Sequence, residues 1–129
     1  MHLKDEDGQA MVEFALILPI LLIVFCGIVD FGWIFANQLM SNNACREAAR
    51  YTAVSYYQSN AADDRSAAEA VVISSAPTLK DPIVSLTVIE DDKMLTVSVK
   101  AEISVLTPLL SSIIGQNYTV TSTTTMRLE

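Results

Sequence analysis

From Phe14 to Val29 the chain carries no charged residue, and the wider stretch Ala10 to Ala36 holds only Glu13 and Asp30. Crossing a bilayer takes about 20 predominantly apolar residues. Lipid offers the backbone no hydrogen-bond partners, so such a stretch has to close its own bonds as a helix. The N-terminal segment is therefore expected to span a membrane. A cleaved secretory signal is the competing reading, but the run is too long, Met1 to Asp7 is acidic, and no small-x-small cleavage site follows. Trp33 and Phe35 near the far end suit an interfacial aromatic belt.

Details of this segment bear on its behaviour. Pro19 lacks an amide hydrogen and its ring meets the carbonyl of Ala15, which predicts a kink or a locally melted turn. Gly27 and Gly32 offer spots for close approach of another helix, although not at GxxxG spacing. Charge bias leaves the orientation open: Lys4 precedes the run and Arg46 and Arg50 follow it, which leans away from a cytoplasmic N-terminus. A carboxylate within such a run costs on the order of 3 kcal/mol at mid-bilayer. For Glu13, two readings stand on the residues alone: a carboxylate reaching water at the headgroup boundary, or one paired with a specific positive group.

After Ala36, 93 of the 129 residues remain for a water-facing domain with a small core. A net charge of −7, without clustered Lys or Arg, excludes nucleic acid and anionic headgroups as main partners. Met40, Ala44, Ala48 and Tyr51 recur at helical spacing, which extends the first helix to about Tyr56 over some 65 Å in all. Asn42 and Asn43 inside it mark a candidate bend. On one continuous helix Cys26 and Cys45 stand roughly 28 Å apart, which rules out a bridge between them. Cys26 reads as a small packing residue, and Cys45 as either a buried thiol or an interchain partner.

Gln58 to Asn60 reads as a turn, followed by a short helix capped by Asp63 or Asp64 and ending before Pro77. Beyond Pro82 the period becomes two. Ile83 to Ile89 forms one strand, Glu90 to Lys93 a turn, and Leu95, Val97, Val99, Ala101, Ile103 and Val105 line one face of a second strand. Pro108 opens a helical turn through Ile114 that Gly115 ends, and a threonine-rich strand follows with Tyr118, Val120 and Met126 on one side. The expected fold class is α+β: a long N-terminal helix, transmembrane in its first half and amphipathic in its second, packed on a small antiparallel sheet of about three strands.

Chemistry-bearing patterns are few. Asp30-Phe31-Gly32 matches a kinase tripeptide without any of the other kinase motifs. With His2 as the sole histidine, neither a Ser-His-Asp triad nor a His-ligated zinc site can be assembled. Glu90, Asp91 and Asp92 read as a solvated turn, Asp63 and Asp64 as a helix start, and Asn117-Tyr118-Thr119 as an incidental sequon. No enzymatic activity and no cofactor or metal is expected.

The stretch Gly8-Gln9-Ala10-Met11-Val12-Glu13-Phe14-Ala15-Leu16-Ile17-Leu18-Pro19, then Ile28 to Gly32, then Ala44 with Arg46 to Tyr51, resembles the TadE-like family of minor pilins. The Pro108 to Leu110 turn and the final strand ending in Met126-Arg127 are similar too, so the likeness extends over nearly the whole chain. It implies a pilin-like fold and a pseudopilin of a tight-adherence (Flp-type) pilus, acting in adherence and biofilm formation. It also implies cutting by a prepilin peptidase between Gly8 and Gln9, which makes residues 1–8 a leader, 9–36 the transmembrane half-helix and 37–129 a periplasmic domain. Removal of the leader takes away three acids and one lysine, moving the charge from −7 to −5. Glu13 and Phe14 then fall at mature positions five and six. They are implied to set subunit register, with Glu13 neutralising the new Gln9 amine of another subunit in a low-dielectric core.

The acidic Asp5-Glu6-Asp7 differs from the basic leaders usual in that family. Asp30 and Trp33 read as interface-anchoring and packing groups. Implied partners are the prepilin peptidase, other pilins, an inner-membrane assembly platform and the lipid bilayer. The implied location is the bacterial inner membrane, single-pass, and the extracellular pilus. Two other readings stand beside it: an unprocessed, membrane-anchored periplasmic adaptor domain, and the principal subunit of a pilin-like fibre.

Overall fold

The computed structural model describes residues 3–58 and 60–128, with the side chains of residues 3–7 left aside. Met1 and His2 of the expected leader and Ser59 of the expected turn lie outside the described residues. Helix α1 (Leu3–Ser55) is followed by α2 (Ala61–Ser75), β1 (Lys80–Ile89), β2 (Met94–Ser104), α3 (Pro108–Ile114) and β3 (Asn117–Arg127). The architecture is α+β, a single long helix packed on a three-stranded antiparallel sheet of order β1-β2-β3. At 53 residues α1 extends about 80 Å.

The helix runs unbroken through Pro19, Asn42 and Asn43, so of the kink or locally melted turn expected at Pro19 the melted turn is absent. A proline removes one hydrogen bond, whereas unwinding a turn would expose several, and in apolar surroundings the smaller loss wins. Asn42 is instead held by its own contacts: its Oδ1 accepts from Ser122 Oγ at 2.7 Å and from Gln38 Nε2 at 3.2 Å.

The most apolar window of α1 has a mean hydropathy of 2.8 and is wholly unburied within the chain. The second half packs on the sheet and α2, burying Asn37, Ser41, Ala44, Cys45, Ala48, Ala49, Thr52 and Ala53. Tyr51 faces outward, which corrects the expected stripe. The reason is size. A helix lying close against a sheet needs small side chains between the two backbones, and Ala, Ser, Thr and Cys supply them where an aromatic ring cannot fit. Facing this stripe, β2 buries Leu95, Val97, Val99, Ala101 and Ile103, with Val84 from β1 and Val120 from β3 beside them. Ala68 and Val72 of α2 close the remaining side.

Two boundaries differ from the sequence reading. The N-cap of α2 is Asn60, with extended backbone, and its carbonyl accepts from the Asp64 amide at 3.0 Å. Asp63 and Asp64 sit in the first turn, where their charges favour the helix dipole without capping it. Strand β1 begins at Lys80 rather than Ile83, because the register slips between those residues and Asp81 takes a φ of 45°. Such a bulge on an edge strand accommodates Pro82, which has no amide to give to the ladder.

The outer sheet face carries hydroxyls in cross-strand rows, with Thr96 and Thr125 Oγ1 atoms 3.0 Å apart and Ser98 Oγ 3.2 Å from Thr123 Oγ1.

Cys45 is fully buried, and its thiol donates to the Val97 carbonyl at 3.3 Å. Burial pushes this thiol above its ordinary range by disfavouring the thiolate. Its contribution to stability is thus present below the unfolded thiol range near pH 8.5 and is lost as pH rises through the folded value. The denaturant midpoint of the sheet domain is expected to fall above about pH 8.5, and Cys45→Ala to flatten that fall. Ala48→Leu, at a fully buried position of α1, is expected to destabilise by about 1–3 kcal/mol through overpacking, read from chemical denaturation followed by near-ultraviolet circular dichroism.

Candidate processing and assembly segment

The residues singled out from sequence fall into two groups along α1. Gly8, Gln9, Glu13 and Phe14 lie in the early turns, all exposed and on a helix that meets no other element there. A β-carbon added at Gly8 or at either Gly27 or Gly32 would meet nothing within 4 Å, so none of these glycines is there for packing within the chain. Glycine is the weakest helix former of this turn apart from proline, at about 1 kcal/mol below alanine, which makes Gly8 the cheapest point for local unwinding.

Glu13 follows Gln9 by four residues on an exposed helix and forms no ion pair among the described residues. Phe14 stands beside it, largely exposed. Downstream, the side chains from Leu16 to Phe25 that are large and apolar are likewise exposed. Such a surface is stable only against lipid or against other apolar helices.

Asp30 and Trp33 form the second group, and both side chains turn inward to bond to the domain. Asp30 is 1% exposed in a segment otherwise facing outward. Its Oδ1 accepts from the amides of Leu106 at 3.2 Å and Thr107 at 3.0 Å, and Oδ2 accepts from the Thr107 hydroxyl. One turn on, Trp33 Nε1 donates to the Ser104 carbonyl at 3.0 Å. Two side chains of the helix thus tie down the end of β2 and the start of α3. Asn37 continues the row by accepting from the Thr78 hydroxyl at 2.6 Å while donating to the Trp33 carbonyl at 2.8 Å.

A further set was not singled out from sequence. Ser41 Oγ lies 2.8 Å from Ser122 Oγ, and Gln38 Nε2 donates to the Thr121 carbonyl at 3.0 Å. These groups fix β3 along the helix. The pairings join residues about eighty positions apart, and no local pattern announces them. The one available hint was the helix start at Pro108, where the amides just ahead of the first turn call for an acceptor.

A cleft of about 500 Å³ lies between α2 and β1 and is lined by Tyr56, Asp64, Arg65, Leu86 and Val88 among others. Among the described residues, no three His, Cys, Asp or Glu side chains gather as a metal site.

A bare apolar helix, long and apolar enough to cross a membrane, carries one exposed carboxylate near its start and continues into a small α+β domain pinned to its second half, an arrangement that fits membrane anchoring. The family described as TadE-like protein matches residues 8–50, a third of the chain, and the chain is similar to that family over this segment. No curated protein and no solved structure matches the chain.

Asp30→Ala is expected to leave the Leu106 and Thr107 amides without their acceptor and to destabilise the domain by about 2–4 kcal/mol, whereas Asp30→Asn keeps one oxygen and costs less. Thermal unfolding of the detergent-solubilised protein, followed by Trp33 fluorescence, checks the order.

Proposed function

We propose that this protein is a pseudopilin of a tight-adherence (Flp-type) pilus, cut between Gly8 and Gln9 and assembled beside other pilins for adherence and biofilm formation. The division into a leader 1–8, a transmembrane half-helix 9–36 and a periplasmic domain 37–129 belongs to this reading, as do a prepilin peptidase and an inner-membrane assembly platform as partners. The observation that carries it is Glu13: an exposed carboxylate on a bare apolar helix, five residues after Gly8, within the TadE-like match.

The chemistry follows from the cut. Hydrolysis of the Gly8–Gln9 bond frees an α-amine on Gln9 at the start of an apolar helix. An amine and a carboxylate each cost several kcal/mol when buried alone, and both costs fall when they pair. A Glu13 carboxylate facing the Gln9 amine of a neighbouring subunit meets that condition only at one axial offset, so the pair selects register as well as adding attraction. The exposed aliphatic and aromatic side chains around Glu13 supply the non-selective part of the association.

Intact mass of the membrane-extracted protein tests the reading directly. Cells with an active prepilin peptidase are expected to yield a chain starting at Gln9, and an unshortened N-terminus there would sink it. Because Gly8 has open space around it, Gly8→Ala changes peptidase recognition without a steric effect on the fold, and is expected to block shortening. Glu13→Gln is expected to leave shortening intact and to abolish surface piliation at unchanged protein level. Normal piliation in both variants would favour a permanently anchored adaptor instead.

A further inference from the structure

We infer that α3 and the loop before it form a lipid-facing foot, which rests in the outer-leaflet interface of the bilayer that α1 crosses. This rests on the reading of α1 as a membrane span.

The position comes first. Asp30 and Trp33 hold Leu106, Thr107 and Ser104 against α1, so the start of α3 sits at the height of residue 30 on that helix. Counting from Ala10, where the apolar run begins, residue 30 lies about 30 Å along the axis, the thickness of the hydrocarbon layer. The foot is thereby placed at the plane where the acyl region gives way to headgroups.

Its surface suits that plane. Leu106 is 53% exposed, Leu109 41%, Ile113 78% and Ile114 44%, four aliphatic side chains on a loop and a two-turn helix that bury nothing in the domain core. No Asp, Glu, Lys or Arg occurs anywhere from Ile103 to Met126. An aqueous loop of this exposure would ordinarily carry charge. The foot is also continuous with the exposed apolar surface of α1, which the same bilayer is read to cover.

Several polar groups of the foot are satisfied from within, which suits a water-poor interface. The Leu106 and Thr107 amides go to Asp30, the Val105 amide to the Gln116 carbonyl at 3.0 Å, and the Gly115 amide to the Ser111 carbonyl at 3.0 Å. Pro108 has no amide, and its carbonyl accepts from the hydroxyls of both Ser111 at 3.0 Å and Ser112 at 2.7 Å. Gly115, with φ of 93°, turns the chain back toward β3 in a conformation that a side chain would strain.

The test uses full-length protein in phosphatidylethanolamine–phosphatidylglycerol nanodiscs, with Cys26 and Cys45 replaced by alanine and a nitroxide attached at one introduced cysteine. Ile113→Cys reports the foot, Leu16→Cys the span and Thr123→Cys the outer face of the sheet. All three sites are exposed, so the label displaces no core side chain. Power saturation against oxygen and a water-soluble nickel chelate then reads depth. The expected result is an oxygen-to-nickel accessibility ratio at Ile113 several-fold above that at Thr123 and below that at Leu16. A ratio at Ile113 equal to that at Thr123, with Leu16 reading lipid, overturns the foot and leaves the membrane span standing. Protection of Ile113 from both reagents overturns it in favour of a protein contact. A water-like ratio at Leu16 overturns the span, and the foot with it.

Discussion

Everything in this molecule depends on α1 remaining one helix while its surroundings change part of the way along it. In the first half no neighbouring element exists to satisfy a broken backbone, so Pro19 is absorbed with the loss of a single bond. In the second half the same helix is the wall against which a three-stranded sheet, too small to stand alone, completes its core. A break between the halves would uncouple the domain from its anchor. Continuity makes the domain's position along the helix a fixed quantity.

The handover between the two halves is built from polar side chains, because apolar packing alone cannot set an axial position. The small residues of the stripe from Asn37 to Ala53 permit close approach but resist sliding weakly. Asp30, Trp33, Asn37, Gln38 and Ser41 each bond to a specific group on a loop or strand, in order along the helix. A buried carboxylate with three donors is the strongest of these, since a hydrogen bond to a charged group contributes about 1.5–3 kcal/mol where a neutral one contributes about 1. It lies at the level where the exposed apolar half of α1 gives way to the packed half.

Glu13 presents the opposite case. Asp30 has its donors within the chain, whereas Glu13 meets no cation among the described residues, so the fold accounts for one of the two carboxylates on this helix and leaves the other outward. The TadE-like segment, residues 8–50, spans both of them together with most of the small-residue stripe. It therefore covers the span, the handover and the packing surface, and ends before the sheet that packs there.

Periodicity and composition carried much of this in advance. The uncharged run from Phe14 to Val29, the alternation from Leu95 to Ile103, and the Pro108 and Gly115 punctuation are local signals, and each yielded the element it indicates. The spacing of Gly8 and Glu13 is local as well, so the candidate assembly residues were legible. Face assignment on α1 was not, because hydropathy favours Tyr51 while the geometry of a helix close to a sheet favours Ala49 and Thr52. Nor was the partnership of Asp30 with Thr107, since it joins residues 77 positions apart through a fold that must exist first. The sequence by itself determined the elements and their surroundings through short-range spacing; only the tertiary structure decided which polar groups lock the sheet to the helix, because those bonds form between distant segments after packing has brought them together.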